Sequence, residues 1–207
     1  MPTLHVVGDS ISMHYGPYLE QYLQDVLVYS RKEGMPGDPA EPNGANGGDS
    51  SLVLRYLSAC QAQHAHWDYL LLNCGLHDIK TNPLTHDKQV PPETYRSNLR
   101  RIIPLARSLA SWTIWVRTVP VIDAIQNARQ KDFRRFAADV LRYNSIADGV
   151  MEEHDIPEIN LYGFTRRLGE DIDIDHVHFR ERASQRQAAY IAGFIAKMLD
   201  VLETPDA

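Results

Sequence analysis

Ser10 closes the tripeptide Gly8-Asp9-Ser10 directly after a short apolar run, and His178 closes Asp175-His176-Val177-His178 near the far end of the chain. A serine hydroxyl attacks carbonyl carbon at neutral pH only when a base takes its proton and a third group holds that base. Ser10, His178 and Asp175 are residues of those three types. The three-residue offset lets Asp175 and His178 share one turn, with both side chains facing the serine. Asp9 reads as a hydrogen-bond acceptor that holds the turn rather than as a catalyst.

The intervening pattern says how such distant segments meet. Leu4-His5-Val6-Val7 suits a buried strand ended by Gly8. A helix follows, with Pro17 in its first turn and Leu19, Tyr22, Leu23 and Val26 on one face. A second strand is expected near Leu27 to Tyr29, then a glycine- and proline-rich loop from Gly34 to Gly48. Asp49 or Ser50 caps a helix with the stripe Val53, Tyr56, Leu57 and Cys60. Tyr69-Leu70-Leu71-Leu72 is apolar throughout, as a strand covered on both faces is. The next helix turns Tyr95, Leu99, Ile102, Ile103 and Ala106 inward and contains Pro104. A fourth strand is expected over Trp112 to Val119 and a helix from Asp132 to His154 bearing Phe133, Phe136, Val140, Ala147 and Val150. A fifth strand, Ile159-Asn160-Leu161, precedes an acidic loop. The last helix carries Ala188, Ile191, Ala192, Ile195, Met198 and Leu202.

Strands and helices thus alternate five times, the signature of an α/β protein with a five-stranded parallel sheet covered on both faces. Repeats and low-complexity tracts are absent, so residues 1–207 read as one domain. In such a sheet ligands bind beyond the carboxyl ends of the strands. Ser10, Gly48, His77, Asp175 and His178 all fall in loops at that edge.

Composition narrows the partners. A net charge of −6 argues against nucleic acid and anionic membrane. The doublets Arg100-Arg101, Arg134-Arg135 and Arg166-Arg167 are interspersed with acids and read as solvated helix faces. Two cysteines, Cys60 and Cys74, point to a reducing compartment rather than a disulfide framework. With no signal peptide or membrane-spanning run visible, the expected location is the cytoplasm.

The chain resembles the SGNH (GDSL) hydrolase family of esterases and acyl hydrolases. Gly8-Asp9-Ser10 is similar to its nucleophile block and Asn43-Gly44-Ala45-Asn46-Gly47-Gly48-Asp49-Ser50 to its glycine block. Gly75-Leu76-His77-Asp78 resembles the third block, and Asp175-His176-Val177-His178 the terminal one. The resemblance implies a three-layer α/β/α sandwich of flavodoxin-like type, with Ser10 as nucleophile, His178 as base and then acid, and Asp175 holding the imidazole. The backbone N–H groups of Ser10 and Gly48 would bind the oxyanion, and glycine at 48 lets the main chain approach closely. The family's third block carries asparagine where this chain has His77. Neutral imidazole can donate one N–H from one tautomer, so His77 is the leading side-chain donor and Asn73 the alternative.

Other chemistries find less support. Asp171, Asp173, Asp175, His176 and His178 lack a second ligand set at recognisable spacing, and His64-Ala65-His66 sits at a helix end, so no metal and no cofactor are expected. The Gly44/Gly47/Gly48 cluster is not followed by the Gly-Lys-Ser/Thr of a phosphate loop. His14 and Tyr15 lie close enough to Ser10 to line its pocket. The expected partner is a small-molecule ester. Polar segments around the mouth suit a short acyl group, such as acetyl, on a carrier such as a sugar. Transfer of the acyl group to another alcohol, or a catalytically silent binding module, are the alternatives.

Overall fold

The computed structural model describes residues 1–36, 44–169 and 178–203. Twelve elements follow in order: β1 (Thr3–Val7), α1 (Ser10–Leu23), β2 (Val28–Arg31), α2 (Ser50–Ala62), β3 (Trp67–Leu72), α3 (Pro92–Leu109), β4 (Ala110–Val116), α4 (Asp123–Arg129), α5 (Ala137–Glu153), β5 (Glu158–Ile159), α6 (Leu161–Arg166) and α7 (Glu181–Glu203). The strands form one sheet in the order β2-β1-β3-β4-β5, and every pairing is parallel.

That order dictates the layers. The chain steps one way from β1 to β2, then back past β1 to β3, β4 and β5. Right-handed crossovers therefore put α1 on one face and α2, α3 and α5 on the other. The packing agrees: α1 and α6 lie against α7, while α3 lies against both α2 and α5. Leu70, Leu71 and Leu72 of the central strand β3 are almost wholly buried, as a strand under helices on both sides must be. The fold is a three-layer α/β/α sandwich. The reversal of direction between β1 and β3 creates a crevice at their carboxyl ends.

Several local expectations need correction. Pro17 lies inside α1, not in its first turn, and the buried face of α1 is Ile11, Tyr15, Leu19 and Leu23. Tyr22 and Val26 are exposed. The expected helix from Asp132 starts only at Ala137, and the preceding segment holds the separate short helix α4. Phe133 and Phe136 mimic a helical stripe because their rings lie under the Lys80, Arg135 and Lys88 cations instead of entering the core. Strand β5 ends at Ile159, and Leu161 opens α6. Arg135 is not solvated: it is 4% exposed, and its Nε donates to the Leu76 carbonyl at 2.6 Å. Among the described residues no helix is long and apolar enough to cross a membrane.

Candidate active site

Strand β1 delivers Gly8-Asp9-Ser10 to the crevice, and helix α1 begins at Ser10. Asp9 is the N-cap: its Oδ1 accepts from the Ile11 N–H at 3.0 Å, and its buried carboxyl is pushed up in pKa, first by desolvation. Ser10 is thus the first helical residue, and its N–H has no acceptor within the helix. Such an N–H, at the positive end of the helix dipole, suits a developing negative charge.

The other end of the chain reaches the same point. His178, just before α7, places Nε2 2.8 Å from Ser10 Oγ. The packing of α7 on α1 makes that contact possible. His14, one turn along α1 from Ser10, is exposed and lies beside the His178 ring, with centroids 4.6 Å apart. Tyr15 points the other way, into a cavity of about 10 Å³ beneath the turn that is also lined by Asp9, Ser12 and Asn73. Asp175, with Asp171, Asp173 and His176, lies outside the described residues, as does Asn43.

The glycine-rich loop closes over the nucleophile turn. Gly47 N–H donates to the Gly8 carbonyl at 2.8 Å, and a Cβ on Gly47 would sit 3.0 Å from that oxygen. Arg31 ties the loop to α1 by donating to the Ser12 and Ala45 carbonyls, each at 3.0 Å. Gly48 has a φ of +69°, and its N–H donates to Asn46 Oδ1 at 2.8 Å. That N–H serves an oxyanion only when the Asn46 side chain turns away.

The segment after β3 supplies the remaining candidates. Asn73 spends its amide on β4: Nδ2 donates to the Val116 carbonyl at 2.8 Å and lies 3.4 Å from Thr118 Oγ1. It joins strands, so the alternative donor is committed elsewhere. His77 is half-buried, and its pKa falls to about 3, chiefly through desolvation and then through the Lys80 and Arg135 charges. It is a neutral imidazole at any working pH. Asp78 is fully buried and accepts the Ser50 N–H at 2.9 Å, tying this segment to the start of α2.

Sequence reasoning missed Lys80 and Arg135 as parts of this region, and it placed Asp78 and Asn46 in the motif blocks without foreseeing their hydrogen bonds to Ser50 and Gly48. Lys80 and Arg135 were indistinguishable from surface cations, since only the fold brings Phe133 and the Leu76 carbonyl to them. Among the described residues there is no cluster of three or more His, Cys, Asp or Glu side chains arranged to hold a metal.

No protein-family model matches the sequence, and no curated protein does. Solved structures do. A lipase/acylhydrolase from Enterococcus faecalis superposes with a TM-score of 0.69 over 94% of this chain and 95% of its own, at 16% identity. The fold is that of the SGNH hydrolases. A carbohydrate acetylesterase from Sinorhizobium meliloti gives 0.66 over 96% and 100% at 14% identity. A psychrotrophic esterase from Pseudoalteromonas, inhibited by monoethylphosphonate, gives 0.67 over 97% and 100% at 17% identity.

Proposed function

We propose that this protein is a serine esterase of the SGNH type that hydrolyses short-chain, acetyl-type esters. The observation that carries the reading is the 2.8 Å contact between Ser10 Oγ and His178 Nε2 at the sheet's switch point. His178 takes the Ser10 proton as Oγ attacks the ester carbonyl, then returns it to the departing alcohol. Water deacylates the enzyme with His178 again as base. Asp175 holds the imidazole. The Ser10 and Gly48 N–H groups and the His77 ring N–H take the oxyanion.

The substrate reading rests on the surroundings. A groove of about 500 Å³ opens on Lys80 and Phe133, and Asn82, Thr85 and Gln89 also line it. None of the proposed catalytic residues lines it, but it reaches Lys80 beside His77. Side chains that are polar except for Phe133 suit a hydroxylated carrier better than a lipid tail. The acetylesterase of the same fold acts on carbohydrate, which fits a sugar carrier. The free, buried Cys60 and Cys74 fit a cytoplasmic enzyme. One domain spanning 1–207 accounts for both ends of the site.

A panel of p-nitrophenyl esters tests the acyl preference, followed by acetylated sugars. Acetate should be the best substrate, and a preference for chains of roughly eight carbons or more would overturn the reading, because such a chain needs a large apolar pocket. Product analysis with an added alcohol separates hydrolysis from transfer.

A further inference from the structure

We propose that Lys80 is a positioning residue that fixes His77 as the Nε2–H tautomer and so aims its one ring proton at the oxyanion. The inference rests on the reading of His77 as oxyanion donor and goes beyond it by naming what sets the donor. Lys80 Nζ lies 3.2 Å from His77 Nδ1. An ammonium carries only donors, so the nitrogen facing it must present its lone pair. The single proton of neutral imidazole is then left on Nε2.

Two further contacts hold the arrangement. The Lys80 ammonium stands over the Phe133 ring, 4.8 Å from its centroid, and Arg135 approaches the same ring at 4.8 Å. Among the described residues no carboxylate lies within ion-pairing distance of Lys80. Among the described residues its charge thus meets no paired carboxylate, and Asp49 and Asp9 act on it only from beyond pairing distance. Burial first, and then the Lys80 and Arg135 charges, oppose protonation of His77, against the attraction of Asp49. A cation behind the ring also polarises the Nε2–H bond toward a negative oxygen in front of it. Asparagine at this position would need no such partner, because its amide NH₂ has no tautomer to choose.

The test reads the ring first and turnover second. In ¹⁵N-histidine spectra of the wild-type protein, His77 should show a protonated Nε2 and a lone-pair Nδ1 and should stay neutral well below pH 5. In Lys80→Met its titration midpoint should rise, with kcat lower by about 10-fold and KM little changed, a fraction of the 10²–10³ that loss of a donor costs. Lys80→Arg should recover part of the loss. In a His77→Asn background, Lys80→Met should cost less than about twofold, since Asn presents its donor without help. A protonated Nδ1 in the wild type, or an equal loss from Lys80→Met in both backgrounds, overturns the inference. If His77→Ala leaves turnover unchanged, the donor reading itself falls. That failure is distinguishable because the ring's tautomer is read without turnover.

Discussion

In the proposed mechanism His77 gives the oxyanion a side-chain donor, so substituting it would separate oxyanion binding from proton transfer. Removing one oxyanion donor typically lowers kcat by about 10²–10³. We expect that loss from His77→Ala in steady-state ester hydrolysis, with part of it restored by His77→Asn and KM little affected. An unchanged kcat would remove the residue from the mechanism. The meeting of Ser10 and His178 was legible in the sequence because each carries chemistry that a bare turn has no need of, whereas Asp175 lies outside the described residues. Lys80 was not legible. A lysine three residues beyond a histidine is ordinary until the loop after β3 curls the ammonium back onto Nδ1.

At the scale of elements, the alternation of strand and helix was readable because apolar spacing is a local signal. Core residues of α2 and α3 fell where their periodicity put them, as did Ala188, Ile191, Ala192 and Ile195 of α7, with Met198 partly buried against the core. What the pattern missed were segments whose aromatic residues serve cations. The stretch from Asp132 to Phe136 bridges to Thr81 rather than joining α5, and Arg134 exchanges backbone hydrogen bonds of 2.8 and 2.9 Å with Thr81. The glycine-rich loop makes its own prediction. Gly48 is left-handed, and a Cβ there would meet Leu52 Cδ2 at 2.6 Å. Left-handed strain in a residue with a side chain costs of order 1–3 kcal/mol. Gly48→Ala should therefore lower the melting temperature as well as turnover. A variant that keeps full stability would show that the loop relaxes at no cost.

For the molecule as a whole, pH acts through buried groups of opposite sign. Burial lowers the His5 pKa from 6.5 to about 4, so the folded chain resists a proton that the unfolded chain accepts. The contribution of His5 is complete above pH 6.5 and is lost as pH falls through 4. Burial raises Asp78 from 3.8 to about 7, so its contribution is complete below 3.8 and is lost as pH rises through 7. Asp78→Asn keeps an acceptor for the Ser50 N–H and has no proton to lose. Its melting temperature relative to wild type should climb between pH 4 and 7, and a constant difference would contradict the assignment. Topology has the larger functional consequence. The order β2-β1-β3-β4-β5 turns back beside β1, and α7 returns along α1, so residues 168 positions apart meet at one hydroxyl.

That meeting is tested most directly by covalent labelling. Treated with a fluorophosphonate and digested, the protein should carry one adduct, on the peptide containing Ser10. Labelling should vanish in Ser10→Ala and slow sharply in His178→Ala. Esterase activity that survives Ser10→Ala, or a wild-type protein whose Ser10 stays unmodified at saturating probe, would contradict the account.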